Sequence, residues 1–133
     1  MISSRTKSLV RGRAGNRCEY CRLSQEGQEA TFHIDHVMPK VAGGKDKAEN
    51  LALACVSCSL KKGAKQSATD PESGEVASLF QPRSKDWSGH FQWQGVCLVG
   101  RTPTGRATIK TLDLNRPLIL AIRKEEVRLG RLP

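Results

Sequence analysis

A small α+β fold stapled by metal is what this 133-residue sequence predicts, and three observations predict it. Two Cys-x-x-Cys pairs stand well apart. The segment between them reads strand, loop, strand, helix, and the stretch beyond residue 80 reads as a β-hairpin followed by a helix. Composition says why a staple is needed: apolar residues make up 38% and aromatics 5%, so one domain of this length buries only a thin core. The expected organisation is residues 1–66 as an N-terminal helix and stapled motif, 67–79 as a polar linker, and 80–133 as an extension packing on the same domain.

The elements follow in order. "SSRTKSLVRGRAG" is helix-compatible and stops near Gly15. "CEYC" and "CVSC" place Cys18, Cys21, Cys55 and Cys58 in two knuckles; a two-residue gap aims both thiolates of a knuckle at one ion, and two knuckles complete a closed tetrahedral zinc site. In "ATFHIDHVMP", Phe32, Ile34 and His36 alternate with His33, Asp35 and Val37, the period of a strand, and Pro39 ends it. "AGGKDKAEN" is a loop in which Asp46 and Glu49 read as solvated charges. "NLALAC" is a second strand, and "CVSCSLKKGAK" a short helix stopped by Gly63.

Beyond the linker, Trp87, Phe91 and Trp93 form a satellite core, with His90 among them. Cys97 reads as a small buried hydrophobe. "CLVGRTPTGRATIKTL" reads as two strands joined by a Thr-Pro-Thr-Gly turn. "NRPLILAIRKEEVRLG" closes the chain as a helix with Asn115 at its N-cap and Leu118, Ile122 and Leu129 as its buried stripe.

The run "IDHVMPKVAGGKDKAENLALACVSC" resembles the HNH endonuclease motif in its ββα-metal form with a zinc-ribbon frame: Asp-His, a Pro three residues on, Gly-Gly, Asn-Leu, then Cys-x-x-Cys. The likeness covers roughly residues 17 to 63. "LFQPRSKDWSGHFQW" and "GRTPTGRATIKTLDLNRP" further resemble an extension found after the motif in one group of HNH proteins. The resemblance implies that His36 is the general base, Asp35 a ligand of a divalent metal, and Asn50 the residue that holds the loop so that His36 is aimed. These roles suit phosphodiester hydrolysis, which needs a positioned water, a base near neutral pH, and a cation at the phosphate. Magnesium or manganese suits such a site best, with nickel or zinc as further candidates. One departure stands out. The family places His or Asn directly after the second Cys pair, and here the position is Ser59, a poor metal ligand. His33, two residues before Asp35 and so on the same face of the strand, is the candidate to make up for it.

Charge points to the substrate. Lys and Arg number 22 against 13 Asp and Glu, a net +9, which fits a polyanionic partner, double-stranded DNA before others. Arg11, Arg13, Arg17, Lys40, Lys61, Lys62 and Lys65 surround the motif and are the expected phosphate contacts. No stretch is apolar enough for a membrane span or a leader, so the expected compartment is the cytoplasm, where disulfides do not persist. Two other readings remain open on the sequence: a zinc-ribbon module that binds nucleic acid without cutting, motivated by Ser59, and a purely structural zinc protein.

Overall fold

The structure, a computed structural model, describes residues 1–132. Residue contacts resolve the chain into two units: Met1–Ala64 with Gln81–Ser84, and Lys65–Phe80 with the chain from Lys85 on.

The first unit opens with α1 (Ser4–Arg13), capped by the Ser3 hydroxyl, which accepts the Thr6 N–H at 3.1 Å. The helix stops as expected, at Ala14, with Gly15 in the left-handed region at φ 62°. Val10 is its buried residue, and Arg13 at its end donates to the backbone carbonyls of Ala48 (2.7 Å) and Leu51. Strand β1 (His33–His36) pairs antiparallel with β2 (Leu51–Ala54), setting His33 opposite Ala54 and His36 opposite Leu51. All four β2 residues are buried and contact both α1 and α2 (Val56–Lys62), which explains why Leu-Ala-Leu-Ala shows no polar alternation. Helix α2 starts at Cys55, whose sulfur accepts the Cys58 N–H at 3.4 Å, and ends at Gly63. The segment 81–84 adds Arg83, which is ion-paired with the buried Glu19; Glu19 also accepts the Leu53 N–H at 2.9 Å.

The second unit differs from expectation in three places. Residues 67–79, read as a linker, contain an antiparallel hairpin of β3 (Ser67–Thr69) and β4 (Val76–Ser78). Its side chains are mostly exposed, so it carries no apolar alternation. Its turn is fixed by Asp70, which accepts from the N–H groups of Glu72 (3.1 Å) and Ser73 (3.3 Å) and from Arg106 through both oxygens at 2.9 Å.

The second difference is that only the first half of "CLVGRTPTGRATIKTL" is strand. β6 (Cys97–Gly100) pairs with β5 (Phe91–Gln94), which follows the one-turn helix α3 (Trp87–His90). The remainder is α4 (Pro103–Leu112), because Thr102 caps the helix at Gly105 N–H (3.0 Å) and Pro103 occupies the first turn. The same Thr-Pro pair that suggests a turn is a helix start. Gly100 and Gly105 permit close packing: a Cβ at Gly105 would lie 2.1 Å from the His90 carbonyl oxygen.

The third difference lies in α5 (Pro117–Arg128), which buries Ile119, Arg123 and Glu126 while Leu118 and Leu129 are exposed. Its N-cap is Arg116. Asn115 instead clasps the Leu98 backbone, accepting its N–H and donating to its carbonyl, both at 2.8 Å. Trp87, Phe91 and Trp93 do pack together, with the Arg123 guanidinium 5.1 Å from the Trp93 ring centre. Cys97 is half-buried at the end of the hairpin rather than sealed in the core. Among the described residues no helix is long and apolar enough to cross a membrane.

Candidate active site

The four cysteines come together as their spacing predicts. One sulfur from each of Cys18, Cys21, Cys55 and Cys58 lies within 4.8 Å of all the others, and all four residues are buried. The Cys21 and Cys55 sulfurs are 3.7 Å apart, too far for a disulfide. Hydrogen bonds within the cluster split the thiols: those from Cys18, Cys21 and Cys58 hold the Cys55 thiol far below its ordinary value, while those from Cys18 push the Cys21 and Cys58 thiols well up. Four buried thiols converging this closely are compatible with a structural zinc ion.

Beside the cluster, β1, α1 and the end of α2 enclose an open pocket of about 630 Å³. His33, Asp35, His36 and Ser59 line it together with Lys7, Arg11 and Lys40. The His33 ring meets the Ser59 hydroxyl through Nδ1 at 2.9 Å, so its Nε2 is left without a hydrogen bond.

Asp35 is almost buried, at 8% exposure. Its Oδ2 takes both of its partners, the Tyr20 hydroxyl at 3.1 Å and the Lys62 ammonium at 3.2 Å, while Oδ1 makes no hydrogen bond. Burial pushes the carboxyl above its ordinary value, and Lys62 and Tyr20 pull against that shift. Burial and the facing carboxylate push the Tyr20 phenol well up. Asp35 Oδ1, His33 Nε2 and the Ser59 hydroxyl are the pocket's candidate donors to a divalent cation; among the described residues, a group of three or more His, Cys, Asp or Glu ligand atoms close together is found at the four cysteines and not here. A mixed oxygen and nitrogen set of this kind fits a divalent metal that keeps most of its waters.

His36 points its Nε2 at Asp46 Oδ1, 2.7 Å away. Asp46 is thus not the free solvated charge expected; it also accepts the Met1 ammonium at 3.0 Å on Oδ2 and lies 3.6 Å from the Lys40 ammonium. The loop carrying it is cross-braced by Asn50, which accepts the Met38 N–H at 2.8 Å and donates to the carbonyls of Met38 (3.1 Å) and Lys45 (3.0 Å). Gly44 is required by the same brace, since a Cβ there would sit 1.8 Å from the Met38 carbonyl oxygen, whereas Gly43 serves its left-handed backbone at φ 94°. Glu49 is exposed, as expected.

The basic residues divide. Arg11 and Lys40 line the pocket, whereas two others need correcting. Lys62 is 2% exposed and gives its ammonium to Asp35 and to the His36 carbonyl (3.0 Å), so it faces inward rather than toward phosphate. Arg13 is committed to the carbonyls of Ala48 and Leu51. Arg17 donates to the Arg22 carbonyl at 3.1 Å. Lys61 is partly exposed and Lys65, in the second unit, is exposed. His90 also belongs to the second unit, where its Nδ1 lies 2.6 Å from the Thr102 hydroxyl, and burial lowers its pKa.

Sequence reading missed Lys7 and Asp46. Lys7 was legible in principle, four residues before Arg11 and so on the same helical face. Asp46 was not, because its partner is ten residues away across a loop of irregular path.

Comparison with known proteins agrees with the motif. The HNH endonuclease family model matches residues 18–65. The Septu protein PtuB of Bacillus thuringiensis is 26% identical over 110 residues; the match covers 77% of this chain and 38% of that protein, so the chain spans well under half its length. No solved structure matches significantly.

Proposed function

We propose, from the HNH endonuclease domain matched over residues 18–65, that the protein is a metal-dependent endonuclease hydrolysing phosphodiester bonds in DNA. The observation that carries this reading is one pocket that gathers His36, Asp35 and His33 beneath the cations Lys7, Arg11 and Lys40. His36 acts as general base through Nδ1, taking a proton from water as the water oxygen bonds to phosphorus. The P–O bond to the leaving oxygen breaks in the same displacement, and that oxygen takes a proton from solvent. Asp35 Oδ1 and His33 Nε2 hold the divalent metal, magnesium or manganese, with Ser59 supporting His33. When bound, the metal supplies positive charge that stabilises the phosphate oxygens and the leaving group. Asn50 holds the loop, and Lys7, Arg11 and Lys40 seat the backbone phosphates.

Zinc on the four cysteines, a cytoplasmic setting and a Septu-type role, by likeness to PtuB, belong to the same reading. So does an arrangement in which residues 80–133 extend the nuclease domain.

Supercoiled plasmid is the test substrate, with wild type and His36→Ala compared in magnesium, manganese, nickel and EDTA, and zinc measured by elemental analysis. Cutting by wild type, with a loss of about 10²- to 10⁴-fold in a His36→Ala protein that keeps its zinc, is expected. A second reading has its own support. Lys62 and Tyr20 already occupy Asp35 Oδ2, and Ser59 stands where the family has a ligand; this suits a module that binds DNA without cutting it. Salt-sensitive binding by a zinc-loaded wild type that cleaves under no metal would establish it in place of the nuclease.

A further inference from the structure

We propose that Asp46 is a positioning residue for His36: by accepting a hydrogen bond at Nε2 it fixes the neutral ring in the Nε2–H form and presents the bare Nδ1 to the pocket. The proposal rests on the nuclease reading for its purpose, though not for its geometry. The Nε2 to Oδ1 distance is 2.7 Å, in the short range for a carboxylate acceptor, and His36 and Asp46 side chains are 20% and 22% exposed, so the contact is partly shielded from water. A carboxylate can only accept here. The hydrogen bond from His36, followed by that from the Met1 ammonium, holds the Asp46 carboxyl well below the usual carboxylate range, so it is ionised at neutral pH. An imidazole facing such a group at Nε2 carries its proton there, which decides where its lone pair lies.

The loop is built to keep the acceptor in place. Asp46 sits between Lys45, whose carbonyl is held by Asn50, and Lys47, whose carbonyl accepts the Asn50 N–H at 2.8 Å. The other charges at the carboxylate are accounted for: the Met1 ammonium is on Oδ2, and Lys40 approaches Oδ1 only to 3.6 Å. Neither competes for the lone pair that His36 uses. Asn50, given the task of aiming His36 by the family resemblance, would then act at one remove, by aiming Asp46.

The experiment reads the tautomer directly. Zinc-loaded full-length protein labelled with ¹⁵N-histidine is followed by two-bond ¹H–¹⁵N correlation above pH 8. The chain has three histidines, and the His36 signals are identified as those lost in His36→Gln. The Nε2–H pattern is expected in wild type and in Asp46→Glu, and a mixture of the two tautomers in Asp46→Ala. In plasmid cleavage, Asp46→Ala should lower kcat about 10- to 100-fold, the usual scale for losing the group that orients a histidine, with KM little changed and Asp46→Glu recovering part of the loss. Zinc content and the thermal transition control for folding. An Nδ1–H pattern in wild type, or one unchanged by Asp46→Ala, overturns the proposal. Wild type that never cuts overturns the nuclease reading alone, because the tautomer still decides whether Asp46 positions the ring.

Discussion

Two carboxylates show how far single contacts set stability. Asp35 and Lys62 form a nearly closed ion pair, with side chains 9% and 3% exposed. Lys62→Met leaves a buried carboxylate without its cation, with the Tyr20 hydroxyl as its hydrogen-bond donor, and a loss of about 3–5 kcal/mol is expected in urea unfolding at pH 7. The double variant with Asp35→Asn should recover much of it, since no bare charge remains. Asp70 works in the opposite sense. Its hydrogen bonds from Arg106 hold its carboxyl below the ordinary 3.8, so it stabilises the fold fully above that value and ceases to do so as pH falls through the folded one. Circular dichroism should therefore show wild type losing stability from about pH 4 downward. Asp70→Asn should be less stable at neutral pH and flatter in acid.

Elements were legible where a pattern is self-contained. The β1–β2 pair and α2 lie where alternation, Asn-Leu and Gly63 put them, and the cysteine spacing brings four sulfurs together without help from any other signal. Legibility failed where one residue serves two grammars. Thr102-Pro103 suits a turn and a helix start alike, and what separates them is the close approach allowed by Gly100 and Gly105, a tertiary fact. The Leu118–Ile122–Leu129 stripe failed for a related reason. Arg123 covers Trp93 and donates to the Val96 carbonyl at 3.0 Å, so a long polar side chain took the face that hydropathy assigns to leucines. Within the candidate site, Asp35, His36 and Asn50 were named from the motif and His33 from its face of the strand, and the pocket lining gathers His33, Asp35 and His36, but Lys62 reads as surface and is buried. The start of α4 can be tested alone. Thr102→Ala removes the cap at Gly105 and the partner of His90, and about 1 kcal/mol or slightly more should be lost, measured by thermal unfolding.

At the scale of the whole chain, a net charge of +9 makes salt the natural probe of binding. Lys7 and Arg11 project from one face of α1 into the pocket, and each is expected to contact one phosphate. Replacing either with Ala should make the slope of log K against log salt shallower by about 0.9, in fluorescence anisotropy with duplex DNA. Lys62→Ala should leave that slope unchanged, its cation being buried against Asp35.

The two cysteine knuckles also have a bearing on time. Cys21 and Cys55 are 34 residues apart, and closing a flexible loop costs entropy that rises by about 0.6 kcal/mol with each doubling of length. Pairing of β1 with β2 is expected to bring the second knuckle, which directly follows β2, back toward the first ahead of the ion. Zinc uptake by the unfolded apo chain should accordingly reach a ceiling as zinc concentration rises, a rate set by the hairpin and not by the metal. Asn50 stands at the foot of that hairpin, where it braces the loop joining the strands. Its replacement by Ala should lower the ceiling in stopped-flow loading, so that the side chain held to aim the chemistry would also set how quickly the protein matures.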